Sequence, residues 1–316
     1  MSEKKIIAVV GATGAQGGGL VRAIMKDANS DFTVRALTRD VNSDKATALV
    51  KLGAEVVAAD VDDAGSLKRA FKGAYGAYCV TFFWAHLSPE KEMGHARALA
   101  EAAKDAGLKH VIWSTLEDTR KWIPLNDDRM PTLMNKYKVP HFDAKGESNA
   151  YFTNLRLPVT LLNTCFYWDN LIYFGMGLKK GADGKLVFTL PMGDKKLVGI
   201  AAADIGKCAY GIFNRGSDFL GKTVGIAGGH LTGAQMANSL AKALGQEVRY
   251  NSIEPAVYRS LGFPGAEDTG NMFQFDHDFE KVLCETHDIK FTRSLNPSLQ
   301  TFDEWLAQNK ERIPLE

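Results

Sequence analysis

The sequence predicts an α/β fold: a Rossmann-type doubly wound parallel sheet with a smaller C-terminal α/β region. Three observations lead there. Short β-branched runs alternate with helical patterns through the first half; a glycine-rich turn, Gly11-Ala-Thr-Gly14-Ala-Gln-Gly17, separates the first run from the first helix; and the second half loses the regular alternation. Alternation of this kind means right-handed βαβ units and a parallel sheet covered by helices on both faces.

In chain order, Ile6–Val10, Thr33–Leu37, Glu55–Ala59, Ala77–Thr81 and Val111–Ser114 read as strands, each bounded by Gly, Asp or Lys-rich turns. Between them Gln16–Lys26, Ser43–Leu52, Ala64–Phe71 and Pro89–Ala106 read as helices, and a sixth strand at Val159–Thr164 follows a helix around Lys145–Thr153. Beyond these, strands at Leu186–Leu190, Thr223–Ile226 and Glu247–Ile253 mix with helices at Ala203–Phe213, Thr232–Leu244 and Thr301–Ile313. The expected division is a nucleotide-binding domain over 1–170, with later segments returning to it, and a substrate or partner region over 171–316. No Pro/Gly/Ser linker marks the boundary near Asn170.

Composition excludes several classes. The chain has 316 residues, 45% hydrophobic and 24% charged, which suits a large folded core and argues against disorder. A formal charge of +1 supplies no field toward nucleic acid or an anionic membrane. The opening Met-Ser-Glu-Lys-Lys runs into a short apolar strand, and no run of eighteen apolar residues follows, so a cytoplasmic chain is expected, with nuclear shuttling left open. Cys79, Cys165, Cys208 and Cys284 form no Cys-x-x-Cys pair, and His86, His95 and His110 show no ligand spacing, so neither disulfides nor a metal are expected.

The glycine turn follows a strand and opens a helix, the setting a pyrophosphate requires. Gly11 permits the sharp exit from the strand, Gly14 lets backbone approach the phosphates, and Gly17 lets the helix lie close on the sheet. At the end of the second strand an Asp or Glu favours NAD, whereas an Arg meets the 2′-phosphate of NADP. Thr38 and Arg39 stand there, followed by Asp40, so NADP(H) is favoured over NAD. Asp60-Val61-Asp62 borders the adenine, with Asp60 accepting from its amine, while Asp62 or Asp63 caps the next helix. Gly216 to Thr223 matches the P-loop pattern, but a strand rather than a helix follows, so no triphosphate site is expected.

Short-chain reductases use a Ser, a Tyr and a Lys four residues after the Tyr, the Lys lowering the Tyr pKa and gripping the nicotinamide ribose. Ser114 and Lys145 fit, but His141 occupies the Tyr position. It reads as a substitute acid, as a loop residue after Pro140 or as a helix-entry residue. Phe82-Phe83-Trp84 and Phe166-Tyr167-Trp168 read as an apolar chamber for a flat substrate or as ordinary core. Glu117 to Pro140 reads as a long irregular lid or partner-facing loop.

The glycine turn, the Thr38-Arg39 strand end, Gly53-Ala-Glu-Val-Val57, His110-Val-Ile-Trp-Ser-Thr115, His141-Phe-Asp-Ala-Lys145 and Phe166-Tyr-Trp-Asp-Asn-Leu171 together resemble the NmrA-like family of atypical short-chain dehydrogenases. The resemblance implies an NADP-binding Rossmann domain. In several members cofactor binding regulates partner proteins, while reductase-like members reduce small substrates. Carried over by position, Gly11, Thr13, Gly14, Ala15, Gln16 and Gly17 contact the pyrophosphate, Arg39 the 2′-phosphate, and Asp60 and Val61 the adenine. Thr81, Phe82 and Phe83 line the path to the nicotinamide, Lys145 holds its ribose, and Thr164, Cys165, Phe166 and Tyr167 pass beside it. A second basic residue of the phosphate clamp is replaced near Ser43.

The resulting expectation is a cofactor-responsive redox sensor or transcriptional regulator without the standard catalytic Tyr, acting on a protein partner. The alternative is an NADPH-dependent reductase of a quinone-like or aromatic carbonyl substrate, using Lys145 with His141 or a substrate-derived acid, and Ser114. A homodimer is compatible with both. Direct DNA binding lacks a basic face.

Overall fold

The computed structural model describes residues 3–315. The chain forms two compact units: the first takes residues up to Asp118, Ala144–Thr164 and Ala202–Val224, the second Thr119–Asp143, Cys165–Ala201 and the remainder from Gly225. The boundary predicted near Asn170 falls inside one segment of the second unit, and the chain passes between units five times.

The first unit contains β1 (Lys5–Val9), α1 (Ala15–Lys26), β2 (Phe32–Thr38), α2 (Asp44–Lys51), β3 (Glu55–Ala58), α3 (Ala64–Phe71), β4 (Gly76–Cys79), α4 (Pro89–Asp105) and β5 (His110–Thr115). After a stretch in the second unit come α5 (Pro140–Asn154), whose first turn belongs to that unit, then β6 (Val159–Asn163), α6 (Ala202–Arg215) and β7 (Thr223–Gly225). The sheet order is β7-β6-β5-β4-β1-β2-β3, and the pairs from β6 across to β3 are parallel. Every residue of β4 and β5 is buried, as a strand covered on both faces requires, whereas the edge strand β3 is half open. Strand order reverses between β1 and β4, which puts a topological switch point beside the glycine turn.

Burial of apolar faces fixes the helices. Trp113 on β5 stacks on Phe152 of α5 at 4.9 Å, and Phe71, Leu99 and Leu157 pack in the same core. Trp113 Nε1 and Thr115 Oγ1 both donate to Asn149 Oδ1, at 3.0 and 2.8 Å, tying α5 to β5. Helices α1 and α6 meet backbone to backbone, since a Cβ on Gly206 would lie 2.1 Å from the Leu20 nitrogen. The predicted elements of this half are present with small shifts at their ends. The exception is α5, which begins at Pro140, so His141 sits in a first helical turn.

The second unit has two three-stranded sheets. Lys196–Ile200 pairs antiparallel with Gly229–Thr232 and parallel with Phe166–Tyr167; Leu186–Leu190 pairs parallel with Val248–Ser252 and antiparallel with Lys179–Lys180. Its core holds Trp168 against Phe302 and Trp305, and the indole fills the space a side chain at Gly199 would need. Helices Ala266–Asp278, Glu280–Thr286 and Ile289–Leu295 add to those the periodicity predicts. Among the described residues no helix is long and apolar enough to cross a membrane.

Candidate cofactor site

The glycine turn leaves β1 with Gly11 at φ +65°, a left-handed conformation that glycine adopts without penalty. Gly14 N–H donates to the Gly11 carbonyl at 2.8 Å, closing the turn. A Cβ on Gly17 would lie 2.4 Å from that same carbonyl, so this position requires glycine for the helix to start where it does. Helix α1 is entered through Gly14, which offers no side-chain cap, and it has no acid in its first turn. By contrast α2, α3 and α4 are capped by Ser43, Asp63 and Ser88. The start of α1 thus carries no side-chain cap, and the positive end of its dipole suits an anion. Gln16, half-buried on that turn, accepts at Oε1 from Tyr78 Oη at 2.5 Å and from Ser114 Oγ at 2.8 Å. Thr13 is half-buried and Ala15 exposed alongside it.

The end of β2 carries two arginines with different fates. Arg35 is structural: it donates from Nε to Glu55 at 2.8 Å, and from Nη1 to the Ala70 and Lys72 carbonyls at 2.9 and 2.7 Å, where α3 ends. Arg39 is exposed, and among the described residues it has no hydrogen bond or ion pair. Thr38 Oγ1 donates to the Asp40 carbonyl, and Asp40 Oδ1 accepts from Asn42 N–H, so this acid serves its own turn. Ser43 is the cap of α2. Asp60 Oδ1 accepts from Asp62 N–H at 3.0 Å beside the half-buried Val61. Of the two proposed caps for α3, Asp63 serves; the Asp62 carboxylate instead faces His95 Nε2 at 2.8 Å and Lys91 at 3.3 Å, and the His95 bond, first of several, holds it below the ordinary carboxylate range.

Lys145 lies in a polar cluster the sequence pattern did not reveal. Its ammonium meets Glu92 Oε1 at 2.7 Å, Thr81 Oγ1 at 2.7 Å and the Thr81 carbonyl at 3.1 Å. Glu92 is fully buried; burial by itself raises its carboxyl, but the Lys145 charge, bonds from Lys145 and Thr81, and His86 outweigh that and leave it lowered. A signal was present: Glu92 falls on the face of α4 that buries Met93, Ala96, Leu99 and Ala103, where an acid needs a partner. Candidate ligand atoms of His86, Glu92 and His95 lie within 4.8 Å of one another although their spacing predicts no metal site. His86 Nδ1 accepts from Ser88 N–H, which puts the imidazole proton on Nε2, facing Glu92 Oε2 at 3.4 Å.

The other sequence candidates are distributed. Ser114 is buried, its hydroxyl given to Gln16. His141 Nδ1 faces Asp268 Oδ1 at 2.6 Å, and its backbone N–H donates to Asp268 Oδ2 at 3.2 Å; both side chains are buried. Asp268 belongs to the unpredicted helix Ala266–Asp278 and was missed. Thr164 is buried and donates its N–H to the Thr115 carbonyl at 3.2 Å. Cys165 Sγ lies 3.4 Å from the Ile226 carbonyl, Phe166 packs on Phe273, and Tyr167 is half-buried. Of the aromatics read as a chamber, Phe83, Phe166 and Trp168 are core, while Phe82 is 61% exposed. The expected lid is tied down: buried Asp143 accepts from Thr119 N–H and Oγ1 at 2.8 and 2.6 Å, and from the N–H groups of Lys138 and Val139 at 2.8 and 3.0 Å.

Comparison with known proteins adds three findings. The family model described as the NmrA-like family matches residues 3–306. Among curated proteins, the NmrA-like family domain-containing oxidoreductase FrzB of Cladobotryum sp is 29% identical over 295 residues, covering 85% of this chain and 83% of its own. Among solved structures, the negative transcriptional regulator NmrA in complex with NADP superimposes with a TM-score of 0.78 at 23% identity, over 97% of this chain and 95% of its own. The same protein in complex with NAD matches equally well. Citrobacter sp. triphenylmethane reductase complexed with NADP(H) gives a TM-score of 0.73 at 19% identity, over 96% and 99%. At these identities the structural likeness is one of fold.

Proposed function

The chain belongs to the NmrA-like family, and from that premise we propose that it binds NADP(H) and acts as a cofactor-responsive regulator of a protein partner. The uncapped start of α1 behind the Gly11–Gly17 turn supports dinucleotide binding, since both phosphates find N–H donors there without displacing a side chain. The unpaired Arg39 guanidinium supports the 2′-phosphate form, because Arg35 and Asp40 are each engaged elsewhere. In this reading Asp60 and Val61 border the adenine and Lys145 reaches the nicotinamide ribose. That NmrA was crystallised with NADP and with NAD supports the cofactor class.

One observation carries the regulator reading. The Ser and Lys of the short-chain reductase arrangement are present, but the phenol between them is absent, His141 standing in its place, and the Ser114 hydroxyl is given to Gln16. A reductase needs a proton donor of suitable pKa within reach of the reduced oxygen. A sensor needs only different affinities for a partner when NADPH or NADP⁺ is bound.

The His141–Asp268 pair favours a second reading. The Asp268 carboxylate 2.6 Å from His141 Nδ1 orients the imidazole, and this reading gives His141 the part of the acid that tyrosine plays elsewhere. FrzB and the triphenylmethane enzyme carry oxidoreductase and reductase names, which supports that alternative. Calorimetric titration with NADPH, NADP⁺, NADH and NAD⁺, followed by nicotinamide absorbance with quinones and aromatic carbonyls, tests both readings. Tight NADPH binding without acceptor-dependent oxidation is expected. Oxidation lost in His141→Ala would establish the reductase, and equal or negligible binding of all four nucleotides would overturn the dinucleotide reading.

A further inference from the structure

Lys145 has no hydrogen left to give. An ammonium carries three N–H bonds, and each has an acceptor in the chain: Glu92 Oε1, Thr81 Oγ1 and the Thr81 carbonyl. The Thr81 hydroxyl donates to Glu92 Oε1 at 2.5 Å, so Lys145, Thr81 and Glu92 close a ring of hydrogen bonds. The ring is almost dry, with side-chain exposure of 12% for Lys145 and 0% for Glu92. The ammonium also stands 5.2 Å from the Trp113 ring centroid. A buried ammonium is stabilised by an anion at contact distance. Among the described residues Glu92 is the acid paired with it.

We propose that Glu92 is the positioning residue for the nicotinamide half of the cofactor: it neutralises and aims the Lys145 ammonium. A ribose hydroxyl then takes the place of the Thr81 carbonyl. The inference rests on the reading of Lys145 as the ribose-binding lysine. The Thr81 carbonyl is the longest of the three contacts, at 3.1 Å, and the one without charge or a bridging proton, so it is the acceptor that yields. Exchanging one neutral acceptor for another keeps the donor count unchanged. Releasing Glu92 instead would strand a buried carboxylate whose second oxygen has only His86 Nε2, 3.4 Å away. The adenylate half is independent of the ring, since neither the glycine turn nor Arg39 bonds to any of its members.

The test compares NADPH with adenosine 2′,5′-bisphosphate, which has the phosphates of the adenylate half and no nicotinamide. Titrations use the full chain, Glu92→Gln, Lys145→Ala and the double variant, with thermal melting to follow folding. Glu92→Gln is expected to weaken NADPH about tenfold, the scale of one charge-assisted bond, and to leave the bisphosphate within about twofold. The double variant is expected to bind NADPH no more weakly than Lys145→Ala alone, because Glu92 acts through Lys145. Equal losses for both ligands, losses that add in the double variant, or tighter NADPH binding would overturn the proposal. If Glu92→Gln does not fold, Thr81→Val, which removes the bridging hydroxyl, replaces it with the same split between ligands expected. A wild-type chain that binds neither ligand refutes the dinucleotide reading itself, whereas binding of both with no effect of any variant refutes only this inference.

Discussion

Replacing Arg39 by alanine should change which nucleotide the chain prefers without changing how well it folds. The guanidinium is exposed and makes no bond among the described residues, so its removal leaves the β2 end and the α2 turn as they are. A charge-assisted arginine–phosphate contact is worth roughly 1.5–3 kcal/mol. Exposure and salt screening put this one at the low end, about 1.5 kcal/mol or about tenfold in affinity. NADH has no 2′-phosphate and should bind the variant unchanged, so the preference for NADPH drops by the same factor. Arg35, four residues earlier, supplies the contrast. It is 14% exposed and satisfies the Ala70 and Lys72 carbonyls at the end of α3 as well as Glu55. Arg35→Ala should cost about 2 kcal/mol of folding stability by leaving those acceptors without a donor, with the nucleotide preference intact. Calorimetry at low and high salt, paired with urea unfolding, separates the effects. A loss of NADPH and NADH affinity together in Arg39→Ala, or a shift of preference in Arg35→Ala, would refute the assignment.

Four further outcomes follow from the geometry. Gly17→Ala drives a Cβ to 2.4 Å from the Gly11 carbonyl and should open the turn, weakening NADPH and costing roughly 1–3 kcal/mol in urea unfolding. Gly94→Ala on α4, where nothing lies within 4 Å, should be neutral or stabilising by up to about 1 kcal/mol. Burial pulls His110 down from 6.5 to about 4. The unfolded chain therefore takes up a proton below about pH 6.5 that the folded chain refuses. Stability is unaffected above that value and falls as pH drops toward 4; by about pH 5 the loss is about 2 kcal/mol. Urea unfolding at several pH values should show this slope in the native chain and a shallower one in His110→Gln. Asp143→Ala strands the buried N–H groups of Thr119, Lys138 and Val139 and should cost at least about 3 kcal/mol, read from thermal or urea unfolding, or abolish folding.

The first half of the fold was legible because its strands are short and β-branched and α2, α3 and α4 carry ordinary caps, so local preference and tertiary position agree. The helix Ala266–Asp278 was not, because its sequence is crowded with Gly, Thr, Asn and acids. Those residues have tertiary tasks: Asn271 donates to the Pro131 and Lys138 carbonyls, and Asp268 receives His141. The candidate site divides in the same way. The glycine turn and Arg39 lie within one βαβ unit and announce themselves by spacing. Glu92 and Asp268 acquire meaning only from partners far along the chain, and Phe83, Phe166 and Trp168 look like a binding surface in sequence yet are core.

The five passages of the chain between its two units restrict how this protein can change over generations. Neither unit is encoded by one uninterrupted stretch, so a single recombination point at any boundary hands a descendant two incomplete bodies. A fragment ending at residue 170 would lack β7 and α6, and with α6 the Gly206 backbone that abuts Leu20 beneath the phosphate turn. Exchange of either unit as a whole therefore needs several crossovers at once, whereas point substitution and growth of surface loops leave both units whole.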